Sequence, residues 1–207
     1  MGGIDMKTLS RTIAGILIAS LTLGIAGCSG KAEVSQKHAC EAFDKFGAEE
    51  TDLEDLVDRI SSRKIQCEGG YYYTTDDEDE AKYIVENIIF RFNEIPDLDY
   101  QACTYFAATS EDDESLALIY VVTFEDDDDA KELFKNTDSD FSFDDNYASG
   151  KDSGIEYSVH HDEDSMYGVY LQGNTTLYIR VVADETEGLK PYEGIIKDMG
   201  LFSPLSV

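Results

Sequence analysis

The chain of 207 residues has little of the chemistry on which most enzymes depend. It contains three histidines and no tryptophan. It also lacks the G-x-S-x-G, H-E-x-x-H and phosphate-loop motifs of serine hydrolases, metalloproteases and nucleotide-binding enzymes. Carboxylates lie close together throughout the chain, so their pairing alone does not indicate a glycosidase site. The sequence therefore predicts a non-catalytic protein, and an enzyme with an unrecognised carboxylate site is the alternative.

Cysteine is also scarce. The chain has four cysteines, no two of them spaced as C-x-x-C, so the spacing predicts neither a zinc site nor a dithiol redox motif. Apart from Cys28 near the N-terminus, Cys40, Cys67 and Cys103 are an odd number that cannot all pair within one chain. We expect buried free thiols, and the disulfide state of these three residues stays open.

Basic residues are greatly outnumbered by acidic ones. There are 16 Lys and Arg against 44 Asp and Glu, which gives a net charge of −28. Such a charge repels phosphate backbones and anionic lipid, so nucleic acid is excluded as a partner and docking of the folded part on a membrane surface is disfavoured. The charge favours cationic peptides, basic proteins or metal ions as partners, and solubility in an external medium is the alternative explanation.

The one extended uncharged run near the N-terminus is too short to span a membrane. It covers the sixteen residues from Thr12 to Gly27 and is rich in Gly, Ser and Thr, whereas a transmembrane helix needs about 20 mainly apolar residues. Lys7 and Arg11 precede it. Basic residues followed by a short apolar run are typical of an export signal.

The run ends in Ile25-Ala26-Gly27-Cys28, which resembles the lipobox of bacterial lipoproteins. The resemblance implies that residues 1–27 are a signal peptide that is removed and that Cys28 is acylated. The acyl chains then hold the new N-terminus in the membrane, each contributing about 0.8 kcal/mol per buried CH₂. A Gram-positive surface and an outer membrane stay open as destinations.

The same resemblance divides the chain. Residues 28–31 are the lipidated cysteine with a short tether, and residues 32–207 are a single acidic domain that faces outside the cytoplasm. Removing residues 1–27 takes away Lys7, Arg11 and Asp5, which leaves 14 basic and 43 acidic residues and a net charge of −29.

Hydrophobic periodicity predicts an α+β fold for this domain. A helix that ends at Gly47 and a second helix with apolar residues at helical spacing from Leu53 to Ile60 predict an N-terminal helical hairpin. The segment LALIYVVTF, residues 116–124, is apolar on both faces and predicts a central strand. Gly173-Asn174 predicts a tight hairpin. The predicted strands cover residues 66–74, 100–108, 116–124, 155–161, 167–172 and 175–183.

These elements predict an antiparallel-rich sheet with helices on one face. The strands and helices between residues 66 and 161 follow the order β-α-β-β-α-β, which is the order of a ferredoxin-like core. A diverged β-β-α duplication, over residues 100–136 and 167–200, is the alternative topology.

Residues 136–154 predict a long loop, and loops of this length are usually binding elements or disordered. Its carboxylates offer oxygen ligands to a divalent cation such as Ca²⁺, although the spacing of an EF-hand is absent. Its aromatic side chains are candidates for contacting a partner, and a solvated loop is the alternative. The candidate metal ligands are Asp138, Asp140, Asp144 and Asp145, and the candidate binding aromatics are Phe141, Phe143 and Tyr147.

The pair His160-His161 suggests a transition-metal site only at first sight. Successive side chains of a strand point to opposite faces of the sheet, so the two imidazoles cannot chelate one ion without a bulge. The sequence as a whole therefore favours a membrane-anchored binding or interaction domain, with a divalent-cation protein centred on residues 136–154 as the second hypothesis.

Overall fold

The computed structural model describes residues 32–61, 70–89, 98–110, 115–141 and 146–207, with the backbone alone at residues 61 and 138–141. Residues from Ala32 to Val207 form one compact unit. Its described α-helices are α1 (Gln36–Phe46), α2 (Leu53–Ser61), α3 (Glu78–Ile84), α4 (Asp127–Phe141) and α5 (Thr186–Asp198), and α3 continues as a π-helical segment (Val85–Ile89). Its described strands are β1 (Glu49–Glu50), β2 (Tyr71–Thr75), β3 (Tyr100–Thr109), β4 (Ser115–Phe124), β5 (Tyr147–Asp152), β6 (Ile155–His161), β7 (Ser165–Gln172) and β8 (Thr175–Ala183).

Short polar side chains begin four of the described helices. The side chains of Ser35, Asp52, Asp77 and Asp126 accept hydrogen bonds from backbone amides in the first turns of α1, α2, α3 and α4. Such caps satisfy amides that have no partner within the helix. Gly47 ends α1 in the left-handed conformation, with φ of 98°, which confirms the predicted stop. Local chemistry therefore sets where these helices begin and end.

The eight described strands form one sheet in the order β1-β2-β3-β4-β8-β7-β6-β5. The β1 strand runs parallel to β2, and all other neighbours are antiparallel. A β-α-β unit of the ferredoxin-like kind joins parallel strands, whereas β2 and β3 on either side of α3 are antiparallel. The mixed helix-and-sheet fold is confirmed, but the ferredoxin-like core is not.

The sheet carries a hydrophobic core on each face. Side chains of β4 alternate between the two, with Ile119 and Val121 in one core and Tyr120 and Val122 in the other. This alternation confirms the predicted central strand. The α1/α5 core also includes Phe43, Phe106, Tyr170, Ile179, Leu189 and Ile196. The α2–α4 core also includes Leu56, Tyr71, Ile84, Phe124, Ala130 and Leu133.

One prediction about the helices is wrong and another is not confirmed. The helices cover both faces of the sheet, not one, because β4 is apolar on both sides and each side must be buried. The N-terminal helical hairpin is also not confirmed. Helix α1 packs in one core and α2 in the other, and the chain passes between them through the two residues of β1.

We expect Phe106→Ala to destabilise the fold strongly. The Phe106 side chain is fully buried, stacks on Phe43 with ring centroids 4.5 Å apart, and meets the edge of Phe46 at 5.7 Å. Removing a buried phenylalanine ring costs about 3–5 kcal/mol. Urea unfolding of residues 32–207 measures the loss, and Phe106→Leu should cost clearly less. A loss below about 1 kcal/mol for Phe106→Ala would contradict the packing of α1 on β3.

Candidate functional site

The predicted long loop is largely regular structure. Helix α4 continues to Phe141, so Asp138 and Asp140 lie on a helical backbone, and Tyr147 begins β5 at the edge of the sheet. Phe143, Asp144 and Asp145 lie outside the described residues, as does Cys28. The long-loop prediction is therefore wrong for residues 136–141 and 147–152.

The physical reason differs at the two ends of this segment. In α4, Leu133 and Phe134 pack in the core, and the partly buried Thr137 one turn later donates its hydroxyl to the Leu133 carbonyl. The helix therefore continues beyond the last apolar residue of the predicted pattern. In β5 five of six side chains are polar or glycine or alanine, so the strand has no apolar alternation to reveal it. Ser153 and Gly154, with φ of 52° and 90°, form the tight turn that pairs β5 with β6.

A metal site at Asp138, Asp140, Asp144 and Asp145 stays a prediction. In the parts of the chain that the structure describes, no three His, Cys, Asp or Glu side chains are arranged to hold a metal ion. The two adjacent histidines have different surroundings. His161 Nε2 lies 3.2 Å from the Val207 carbonyl oxygen, whereas His160 is buried and stacks on Tyr167.

The pairing of four neighbouring strands aligns a set of aromatic and cationic side chains. Tyr147 on β5 is opposite His160 on β6, His160 is opposite Tyr167 on β7, and Tyr167 is opposite Arg180 on β8. These four residues, the Tyr–His–Tyr–Arg row, lie on the face of the sheet that α4 covers at β6, β7 and β8. The structure thus places one predicted binding aromatic, Tyr147, in a row that the sequence analysis did not identify.

The contacts within the row are ring contacts. The rings of His160 and Tyr167 have centroids 5.9 Å apart, and Arg180 Cζ lies 5.8 Å from the centroid of Tyr167. His160 Nε2 is 3.6 Å from Asp162 Oδ2. A guanidinium at this distance over a tyrosine face is attracted by the negative quadrupole of the ring. Tyr167 therefore lies between an imidazole and a guanidinium.

The predicted hairpin turn already determines which residues of β7 and β8 are opposite one another in this row. The predicted Gly173-Asn174 turn pairs Gln172 with Thr175, and the same register pairs Tyr167 with Arg180 five residues farther along. The extension of the row to His160 depends on the pairing of β6 with β7, which has no comparable local signal.

Tyrosines form a second row in the α2–α4 core. Tyr105 stacks on Tyr120 with centroids 5.7 Å apart, and Tyr120 stacks on Tyr178 at 5.3 Å with an interplanar angle of 4°. Tyr73 pairs with Tyr105 in the strand register. Burial raises the pKa of Tyr105 and Tyr120 well above the usual value. Cross-strand aromatic pairs of this kind stabilise sheets, so we assign these tyrosines a structural role.

The cysteine thiols that the structure describes are poor nucleophiles. Cys40 and Cys103 are free, but only Cys103 is buried as predicted, since Cys40 is partly exposed, and Cys67 lies outside the described residues. Burial raises the pKa of Cys103 to about 12 and also raises the pKa of Cys40. A reactive cysteine has a lowered thiol pKa, so neither residue is a candidate nucleophile.

The fold brings two separate acidic runs to one end of the sheet. Helix α3 begins after β2 and helix α4 begins after β4, and these strands are parallel to one another on either side of β3. The two helix starts are therefore about 10 Å apart by strand spacing. The Asp129 carboxylate also accepts a hydrogen bond from the Asp99 amide at the start of β3. This acidic end comprises Asp76, Asp77, Glu78, Asp79, Glu80, Asp99, Glu125, Asp126, Asp127, Asp128 and Asp129.

We expect the protein to unfold cooperatively at high pH. Burial, with a hydrogen bond to Glu80, raises the pKa of Tyr73 to about 12, and burial raises the pKa of Tyr105, Tyr120 and Tyr170. A folded-state pKa above the unfolded value of about 10 contributes stability that is complete below pH 10. That stability is lost as the pH rises through the folded pKa.

Tyrosinate absorbance at 295 nm and far-UV circular dichroism should therefore change together between about pH 10 and 12. The Tyr83 side chain is 43% exposed, so Tyr83→Phe should leave this transition unchanged. Ionisation of most tyrosines near pH 10 with the circular dichroism intact would contradict the expectation.

The described residues include no helix that is long and apolar enough to cross a membrane. No protein-family model matches the chain, and no curated protein matches it. Among solved structures, the chain is similar to the extracellular domain of PknH from Mycobacterium tuberculosis, at 10% identity and a TM-score of 0.30. The match covers 49% of this chain and 65% of that domain, just under two thirds of its length. A similarity this weak indicates neither a shared fold nor a shared function.

Proposed function

We propose that the protein is a non-catalytic binding domain that a lipid on Cys28 anchors to a membrane, where it faces outside the cytoplasm. The N-terminal sequence carries this proposal, because Lys7 and Arg11 precede an uncharged run that ends in the lipobox-like Ile25-Ala26-Gly27-Cys28. The compact unit begins at Ala32. Acylation at Cys28 would therefore leave the whole unit on the C-terminal side of the anchor.

Charge supports a lipid anchor over adsorption to lipid headgroups. The chain that begins at Cys28 has 14 basic and 43 acidic residues, and anionic headgroups repel such a body. Acyl chains bind the bilayer through apolar burial and are indifferent to this repulsion. The acidic domain is then held away from the membrane surface and faces the external medium.

Charge also indicates the kind of partner. A surface of one sign attracts partners of the opposite sign and speeds their encounter, so we infer that the domain binds a basic protein or peptide. The acidic end, where α3 and α4 begin, carries eleven of the acidic residues. Its capping carboxylates are used locally, since Asp77 and Asp126 accept amide hydrogen bonds, but Asp76, Asp79 and Asp127 are exposed.

The anchor is tested by replacing its cysteine. In bacteria that express the full chain, we expect a labelled fatty acid to be incorporated into the wild-type protein and into Cys67→Ala, but not into Cys28→Ala. The wild-type protein should enter the membrane fraction as the shorter, processed form. If Cys28→Ala is labelled, or stays membrane-bound at the unprocessed size, Cys28 is not the anchor.

The partner class is tested with a decalysine peptide and residues 32–207. We expect Asp76→Asn, Asp79→Asn and Asp127→Asn together to weaken binding, because long-range attraction beyond about 10 Å is screened at 0.1 M salt and the local carboxylates dominate. The matched control is Glu163→Gln, Asp184→Asn and Glu185→Gln, which removes the same charge at the opposite end of the sheet. Equal weakening by the two triple variants, measured by calorimetry at 0.1 M NaCl, would show that only net charge matters.

A further inference from the structure

Arg180 differs from most of the cations that the structure describes. Most of the described lysines lie within 4 Å of a carboxylate, as expected where acidic residues are abundant. Arg180 is exposed on β8, and no described carboxylate lies within ion-pairing distance of it. The paired lysines are Lys37, Lys45, Lys82, Lys131, Lys151, Lys190 and Lys197.

The sheet positions around Arg180 explain the missing ion pair. Leu118 is opposite Arg180 on β4 and Tyr167 is opposite it on β7. Tyr178 and Val182 are its neighbours on the same face of β8. None of these four neighbours within the sheet is acidic. The net negative charge of the chain is carried by residues at other positions, and screening at physiological salt reduces its effect beyond about 8 Å.

The Arg180 side chain is also held in place. Its Cζ lies 5.8 Å from the centroid of Tyr167, which itself stacks on the buried His160. Its positive charge also affects the pKa of Tyr120 in the neighbouring tyrosine row. Burial and Tyr178 raise the pKa of Tyr120, while Arg180 acts in the opposite direction. A guanidinium that stacks on an aromatic ring keeps its N–H groups available in the ring plane, and these match a carboxylate bidentately.

Partly apolar surface adjoins the guanidinium. Leu118 and Tyr178 are partly buried and pack against the α2–α4 core, so each also presents surface outward beside Arg180. A ligand with a carboxylate at one end and a ring at the other would place the carboxylate on Arg180 and the ring against these side chains. The guanidinium supplies the polar contact and the two partly buried side chains supply apolar surface.

We propose that Arg180, positioned by Tyr167, binds the carboxylate of a small ring-containing acid. The ligand is of opposite charge to the basic partner proposed above, and the two sites are independent. Two classes of small molecule carry a carboxylate on a ring, namely aromatic acids and uronic acid sugars. Benzoate and glucuronate are their respective probes, with benzyl alcohol and glucose as uncharged counterparts.

The Nε–Hε signal of Arg180 in a ¹⁵N-labelled sample of residues 32–207 provides the test. This unit contains both hydrophobic cores. At constant ionic strength, we expect benzoate or glucuronate to shift this signal saturably, and benzyl alcohol and glucose not to. A shift with benzoate alone identifies an aromatic acid, and a shift with glucuronate alone identifies a sugar acid. If neither probe shifts the signal saturably, the proposal is wrong.

Two variants of Arg180 distinguish the contribution of its positive charge from that of its two-pronged hydrogen bonding to a carboxylate. A charged hydrogen bond contributes about 1.5–3 kcal/mol, so Arg180→Gln should weaken binding of the probe about tenfold or more. Arg180→Lys keeps the charge but loses the bidentate fork, and it should recover only part of the affinity. In the variants, backbone amide signals of Leu118 and Tyr178 report binding.

The matched control is Lys135→Gln on α4, which removes an exposed cation outside the row. We expect it to leave binding unchanged. Because Arg180 is exposed, its variants should keep the thermal stability of the wild-type unit, and the melting temperature checks this. Equal affinity of Arg180→Gln and the wild-type unit, or an equal loss in Lys135→Gln, would overturn the proposal.

Discussion

The burial of β4 on both faces is the constraint on which the rest of the structure depends. Ile119 and Val121 enter one core, and Tyr120 and Val122 enter the other. An apolar strand in the middle of a sheet must be covered on each side, because exposed apolar surface on either face would lose the burial free energy. The helices therefore divide between the faces, α1 and α5 on one and α2, α3 and α4 on the other. The short β1 strand lets the chain pass from one layer to the next.

This arrangement decides where the charge lies. Acidic residues occupy the first turns of α3 and α4, where carboxylates cap free amides and favour the positive end of the helix dipole. Both helices start after strands that run in the same direction, so one end of the sheet collects both acidic runs. The face around Arg180, in the middle of β8, is built from tyrosines and aliphatic side chains instead. One domain thus presents an end rich in carboxylates and a face whose sheet positions around Arg180 are not acidic.

The sequence predicted most of the local structure because local signals were strong. Gly47 stopped α1, Gly173-Asn174 formed the expected hairpin, and residues 116–124 formed the central strand. The prediction of helices on one face was wrong although residues 116–124 already contained the contrary signal, since a strand that is apolar on both sides requires two covering layers. The strand β5 was missed because an exposed edge strand made of Tyr147-Ala148-Ser149-Gly150-Lys151-Asp152 has no buried face to impose alternation.

The sequence by itself determined the acidic charge, the export and lipidation signal that predicts an anchor at Cys28, and the boundaries of most helices and strands. These properties depend on composition and on neighbours within a few residues. Only the tertiary structure decided that the two acidic runs meet and that Tyr147, His160, Tyr167 and Arg180 share one row. Each of these depends on the pairing of strands that are distant along the chain, and burial in the complete sheet selects that pairing.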